Sequence, residues 1–127
     1  MPSENSIDTH ATSALAGLMV LEFNFSRGGF GFVLTGRNSL YSVATNYEMS
    51  VSQAREPLSK ADFSAKTWPL LEQSVVDVSL GENDSAFWAT FTMDGGGELV
   101  GWQLRSDAKD NIFIVRSLKD EAWFTIG

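Results

Sequence analysis

Few residues in this chain could start chemistry. His10 is the only histidine, and it lies in a polar amino-terminal stretch. A Ser-His-Asp arrangement would need that one imidazole held between a hydroxyl and an orienting carboxylate. A lone surface histidine is the plainer reading. Cysteine is absent, so thiolate nucleophiles, disulfides, Fe–S clusters and thiolate zinc sites are excluded. Paired carboxylates could act as acid and base, but nearly all the acids fall in turns. Glu22, Glu48 and Asp77 are the exceptions, lying in or beside strands, and Arg105 or Arg116 is the expected partner of Asp77. No acidic run has the alternating oxygen ligands of an EF-hand loop. The expectation is therefore no enzyme, no metal and no cofactor.

One string invites a nucleic-acid reading. Arg27-Gly28-Gly29-Phe30-Gly31-Phe32-Val33 resembles the RNP1 strand of RNA-recognition domains, which presents stacking rings. It departs from that pattern in its extra glycine, in Thr35 where a last aromatic belongs, and in its place directly after another strand. A Gly-Gly hairpin turn feeding a core strand explains it better. Nor is Gly28-Gly29-Phe30-Gly31 a phosphate loop, because no Gly-Lys-Ser/Thr follows.

Charge agrees. The net charge is −7. Residues 1–74 carry five basic and seven acidic side chains, and residues 75–127 carry four and nine. The second part therefore holds −5 of the total. Such a balance repels nucleic acid and anionic membranes and attracts a basic partner. It also serves solubility, since acidic turns discourage edge-to-edge association. No run of about 18 apolar residues exists, so no membrane-spanning helix is expected. The apolar stretch Ala14–Leu21 lacks a basic n-region ahead of it, so a secretory signal is not expected and the cytoplasm is the expected compartment.

The elements that must position these residues are short strands. After residue 74 the chain alternates between apolar runs (75–80, 86–93, 99–104, 112–118 and 122–126) and short acidic breaks. Breaks this short predict antiparallel neighbours in a meander. Three further strands are expected over Leu18–Phe25, Phe30–Thr35 and Leu40–Tyr47, with Met19, Leu21, Phe23 and Phe25 together on one side of the first. Between them and the meander lies a short helical insert around 59–74. There Ser59-Lys60-Ala61-Asp62 reads as a loose capping box, and Trp68-Pro69 starts a second turn. Met1–Ala11 is expected to be a mobile tail. The expected fold is mainly β, one domain over 1–127, an antiparallel meander forming a small sandwich, barrel or curved sheet.

Alternation then names a candidate surface. One face of the meander is apolar. The other carries Trp88, Thr90, Gln103, Arg105, Arg116 and Trp123, and tryptophan beside arginine is the composition of an interface hot spot. The same tryptophans could instead pack beneath the insert. Alternate turns of a meander share an end, which would gather Glu82, Asp84, Asp107 and Asp110. These readings predict a small acidic cytosolic protein-binding protein, immunity-like or an inhibitor of a basic partner such as a toxin or a nucleic-acid enzyme. Glu82, Asp84, Asp107 and Asp110 would attract that partner, and Trp88, Arg105 and Trp123 would contact it. The alternatives are a small-molecule-binding β-barrel lined by its aromatics, or a structural subunit of a larger assembly.

Overall fold

The apolar runs after residue 74 all become strands, but they do not stay in one sheet. In the computed structural model, which describes residues 4–26, 29–45, 47–51, 59–107 and 111–127, the elements in chain order are β1 (Glu4–Ile7), α1 (Thr9–Leu15), β2 (Met19–Ser26), β3 (Gly29–Thr35), β4 (Leu40–Thr45), β5 (Glu48–Ser50), α2 (Lys60–Thr67), β6 (Val75–Glu82), β7 (Ala86–Met93), β8 (Glu98–Leu104), β9 (Phe113–Ser117) and β10 (Trp123–Ile126). Short 3₁₀ turns follow α2 at Trp68–Leu70 and β8 at Arg105–Asp107. The first sheet has the order β1-β6-β7-β8-β5 and the second β10-β9-β4-β3-β2. Every pairing is antiparallel. The two sheets face each other as a sandwich, and neither closes into a barrel.

The expected single meander therefore breaks after β8. Strands β6, β7 and β8 are hairpin neighbours, whereas β9 and β10 belong to the other sheet. Facing sheets lie about 10 Å apart, and the eight residues between Leu104 and Phe113 span that distance with ease. A short break thus permits a change of sheet as readily as a hairpin. The third expected strand, Leu40–Tyr47, is β4 as far as Thr45, and the chain then passes into β5 of the first sheet, a strand the sequence pattern did not predict.

The core is the filling between the sheets. Phe32 of β3, Phe91 of β7 and Phe113 of β9 are fully buried. Their rings meet edge to face, with centroids 5.1 Å apart for Phe32–Phe91, 5.2 Å for Phe91–Phe113 and 6.3 Å for Phe32–Phe113. Edge-to-face contacts suit the ring quadrupole. Gly101 of β8 makes room for them, because a Cβ there would strike the ring of Phe113. Leu34, Val43, Val78, Leu99, Val115 and Ile126 complete the layer. This interior is occupied by side chains, so the aromatics expected to line a barrel instead fill a sandwich.

Two helices close the gaps. The amino-terminal stretch, expected to be a mobile tail, carries β1 and then α1. Asp8 caps α1 by accepting from the Ala11 N–H at 2.9 Å. The Thr12 hydroxyl both accepts from the Val78 N–H and donates to the Val78 carbonyl, taking over the bonds that β1 leaves at the bulged start of β6. Ala11 and Leu15 enter the core. In the insert, Ser59 accepts from the Asp62 N–H at 3.2 Å and donates to its carboxylate at 2.9 Å, so the capping residues act as their spacing predicts. The helix α2 then places Phe63 in a stack on Phe30, with Phe23 and Phe25 meeting it edge-on. The insert thus packs against β2 and β3.

Alternation in β2 departs from the expected pattern. A bulge between Val20 and Glu22 turns Val20 into the core and leaves Leu21 exposed, while Phe23 still faces inward. The extra residue restores the inward phase for the rest of the strand. Among the described residues no helix is long and apolar enough to cross a membrane.

Removal of one ring from the central trio tests its weight. Phe113→Ala is expected to cost about 3–5 kcal/mol in urea unfolding, the range for a buried phenylalanine lost to a cavity. Gly101→Ala should cost about 1–3 kcal/mol, because overpacking moves the same ring.

Candidate binding surface

The two outer faces differ. On the first sheet the cross-strand row Gly81–Trp88–Trp102–Glu48 lies beside the row Ser79–Thr90–Val100–Ser50. Trp88, Thr90, Val100 and Ser50 are all buried, and Ala86, Trp88 and Val100 form a second apolar cluster with Trp102 against it. On the second sheet the corresponding rows are Glu22–Val33–Ser42–Arg116–Trp123 and Asn24–Gly31–Ala44–Ile114–Thr125. Here Trp123 is 66% exposed and Ile114 45% exposed. Arg116 and Ala44 are also exposed.

The row composition explains the prominence of Trp123. It sits on the edge strand β10, so it has strand neighbours on one side only. Its diagonal neighbour on β9 is Ile114, within reach of an indole. Thr125 and Ala44 beyond are short. The result is an open groove of about 360 Å³ between β10 and the β4–β5 corner, lined by Trp123, Ile114, Thr125, Ala44 and Tyr47 with Asn111 at its end. Asn111 is held there by donating to the Gly127 carbonyl at 3.0 Å.

The predicted site residues separate onto several surfaces. Trp88 and Trp123 were expected on one face, but they lie on different sheets, and Trp88 is 2% exposed. The ring partners of Phe63 in the insert are Phe23, Phe25 and Phe30, and residues 52–58 between β5 and α2 lie outside the described residues. Register also corrects Gln103, which was expected on the face of Trp88. Leu99, Gly101 and Gln103 pair with Phe91, Ala89 and Phe87, so they face the core, and Trp102 joins Trp88 on the outer side.

Glu82, Asp84 and Arg105 do meet at one end of the first sheet. Arg105 donates to Glu82 at 3.1 Å and to the Asn83 carbonyl through Nη2 and Nε at 2.9 and 3.2 Å. Its guanidinium lies 4.2 Å from the centroid of the Phe87 ring. Arg105 therefore clamps the β6–β7 turn to the end of β8. With Glu82 paired, Asp84 is the exposed acid at the tip of that turn. Asp107 ends the 3₁₀ turn after β8, and Asp110 lies outside the described residues. Asp77 pairs with neither expected arginine, since Arg105 holds Glu82 and Arg116 is on the other sheet.

The catalytic candidates are not gathered either. His10 packs its ring edge-on against Phe124 at 4.8 Å. Among the described residues no group of three or more metal-ligating side chains comes together. Arg27 and Gly28 of the RNP1-like string lie outside the described residues. Phe32 is buried and Phe30 is stacked on Phe63, so β3 offers no platform for bases. Sequence reasoning missed Ala44, Tyr47 and Asn111, because only the pairing of β4 with β9 brings them beside β10. It also missed Trp68, 72% exposed on the turn after α2.

The turn that delivers Trp123 is held by hydrogen bonds. Asp120 accepts from the Ala122 N–H at 3.1 Å, and the Ser117 hydroxyl accepts from the backbone N–H groups of Lys119 and Asp120. A side-chain bond from Ser117 and a backbone bond from Ala122 hold the Asp120 carboxyl below the usual carboxylate range. A depressed acid adds stability above its unfolded pKa and loses it as pH falls through the folded value. In a carbon-detected NMR titration Asp120 should titrate below an ordinary aspartate, and Ser117→Ala should move it back up. At the other end, Arg105→Ala should lower stability by about 1–2 kcal/mol, more than Glu82→Gln, because it removes turn carbonyl bonds and ring packing as well as an exposed ion pair. No protein-family model matches the chain, and no curated protein or solved structure matches it.

Proposed function

We propose that this chain is a protein-binding protein that engages a basic protein partner through the outer face of its second sheet. The observation that carries this reading is Trp123, an exposed indole at the β10 end of that face, beside Ile114 and Arg116 and above an open groove. Tryptophan and arginine dominate binding hot spots because each combines a large contact area with a polar handle. The net charge of −7 supports a positively charged partner, since a field of that sign raises the encounter rate with basic surfaces. Asp120 and Glu121, immediately before β10, put part of that charge beside the indole. The lack of cysteine suits a reducing, cytoplasmic setting. An inhibitor or immunity-like role for a toxin or a nucleic-acid enzyme is the form of binding that this combination suits best.

The test is capture of binding proteins at low and high salt with the wild type and three variants. Trp123→Ala should weaken binding by about 30-fold or more, as truncation of a hot spot does. Ile114→Ser should weaken it by less, and Ile7→Ser, on an edge of the other sheet, should leave it unchanged. Raising the salt should slow association more than it speeds release. Equal capture by the wild type and Trp123→Ala would remove this surface from the binding site.

A further inference from the structure

Each sheet has two edge strands, and they are not equally protected. Edge strands ordinarily carry a charge, a proline or a cover, because their unpaired N–H and C=O groups invite another strand. β1 contains Glu4, β5 contains Glu48 and β2 contains Glu22. The start of β2 is also covered, since Val20 donates to the Gln73 carbonyl and accepts from the Glu72 N–H, and Val75 donates to the Leu18 carbonyl. β10, with the sequence Trp-Phe-Thr-Ile, has neither charge nor proline. Its backbone orientation is set by the ladder with β9. The Ser117 N–H donates to the Ala122 carbonyl at 2.7 Å, so alternation turns Phe124 toward β9 and turns Trp123 and Thr125 outward.

The geometry points to a second copy of this chain as the occupant of that edge, joined antiparallel through β10 about a two-fold axis at Phe124. Two outward residues spaced by two are self-complementary in such a pair. Trp123 of one copy stands opposite Thr125 of the other, and each such pair exchanges both backbone hydrogen bonds. The two Phe124 residues meet as the closer, non-hydrogen-bonded pair, where aromatic contacts stabilise. On the outer face the row Ala44–Ile114–Thr125 then continues into Trp123 of the second copy, so the exposed indole lies beside a short cross-strand partner. Charge does not oppose this register. Glu121 falls opposite Gly127, so the two Glu121 residues lie six positions apart, about 20 Å at the strand rise. That is well beyond the screening length of about 8 Å at physiological salt. Edge pairing leaves the outer faces open and joins them into one ten-stranded surface with both indoles near its centre. The dimer goes beyond the partner-binding reading and does not depend on it.

Sedimentation velocity on the full chain, from roughly 1 µM to roughly 500 µM, tests it by mass action. The wild type should move from monomer to dimer over this range. Thr125→Pro removes one outward donor from each copy without touching the β9 ladder, where an edge strand tolerates proline. It should weaken the dimer about 10-fold or more with an unchanged circular dichroism spectrum. Should that variant fail to fold, a second measurement decides. The chain has no cysteine, so Phe124→Cys provides a single reporter on the axis, and mild oxidation should link two copies through it. Ile7→Cys should not link. A wild type that stays monomeric throughout, a folded Thr125→Pro that dimerises as tightly as the wild type, or linkage through Ile7→Cys but not Phe124→Cys would each overturn this interface. Loss of partner capture in Trp123→Ala with unchanged self-association would separate the two readings.

Discussion

The three rings of Phe32, Phe91 and Phe113 are the contact on which the sandwich depends. They come from β3, β7 and β9, so one mutual edge-to-face cluster ties a strand of the first sheet to two strands of the second. The cluster also requires a gap, and Gly101 leaves it at the point where the Phe113 ring crosses β8. Each ring buries a large apolar area, and the geometry adds a quadrupolar preference that a layer of aliphatic side chains lacks. The route from β8 to β9 makes sense in this light. β9 crosses to the second sheet, where Phe113 can meet Phe91 from the opposite side.

Once the sheets are locked in this way, their outer faces follow different courses. The first is buried around Trp88, Val100 and Thr90. The second remains open, with Trp123 and Ile114 displayed over small neighbours. A large aromatic on an open edge strand contributes little to the fold, because it has few atoms to touch on either side. It is also where binding energy is most easily gained, because its burial by a partner removes a large apolar area from water. The clamp of Arg105 on the β6–β7 turn illustrates the opposite case. A charged side chain that looks available for recognition in the sequence is engaged inside the molecule by a carboxylate, a carbonyl and a ring.

Eight of the ten strands and the insert were legible in the sequence for local reasons, whereas β1 and β5 were not. Period-two alternation in 86–93, the Ser59–Asp62 cap and the Trp68-Pro69 turn each depend on residues within a few positions of one another. The phase of β2 was not legible, because the bulge at Leu21 adds one residue without any glycine or proline to mark it. The inward face of β8 was not legible either. Val100, Trp102 and Leu104 are the more apolar set, yet Leu99 and Gly101 face the core, since the register with β7 and the bulk of Phe113 decide the orientation.

The sequence by itself determined that this chain is an antiparallel β protein with a short helical insert, an acidic surface and no cysteine chemistry, because these follow from composition and nearest-neighbour pattern. Only the tertiary structure decided that β9 and β10 leave the meander for the second sheet. That one crossing separates Trp88 from Trp123, hides the first and exposes the second. The physical reason is that a loop of a given length can close a hairpin or bridge two facing sheets at similar conformational cost. What selects between them is the long-range packing of the phenylalanine rings, which no local pattern reports.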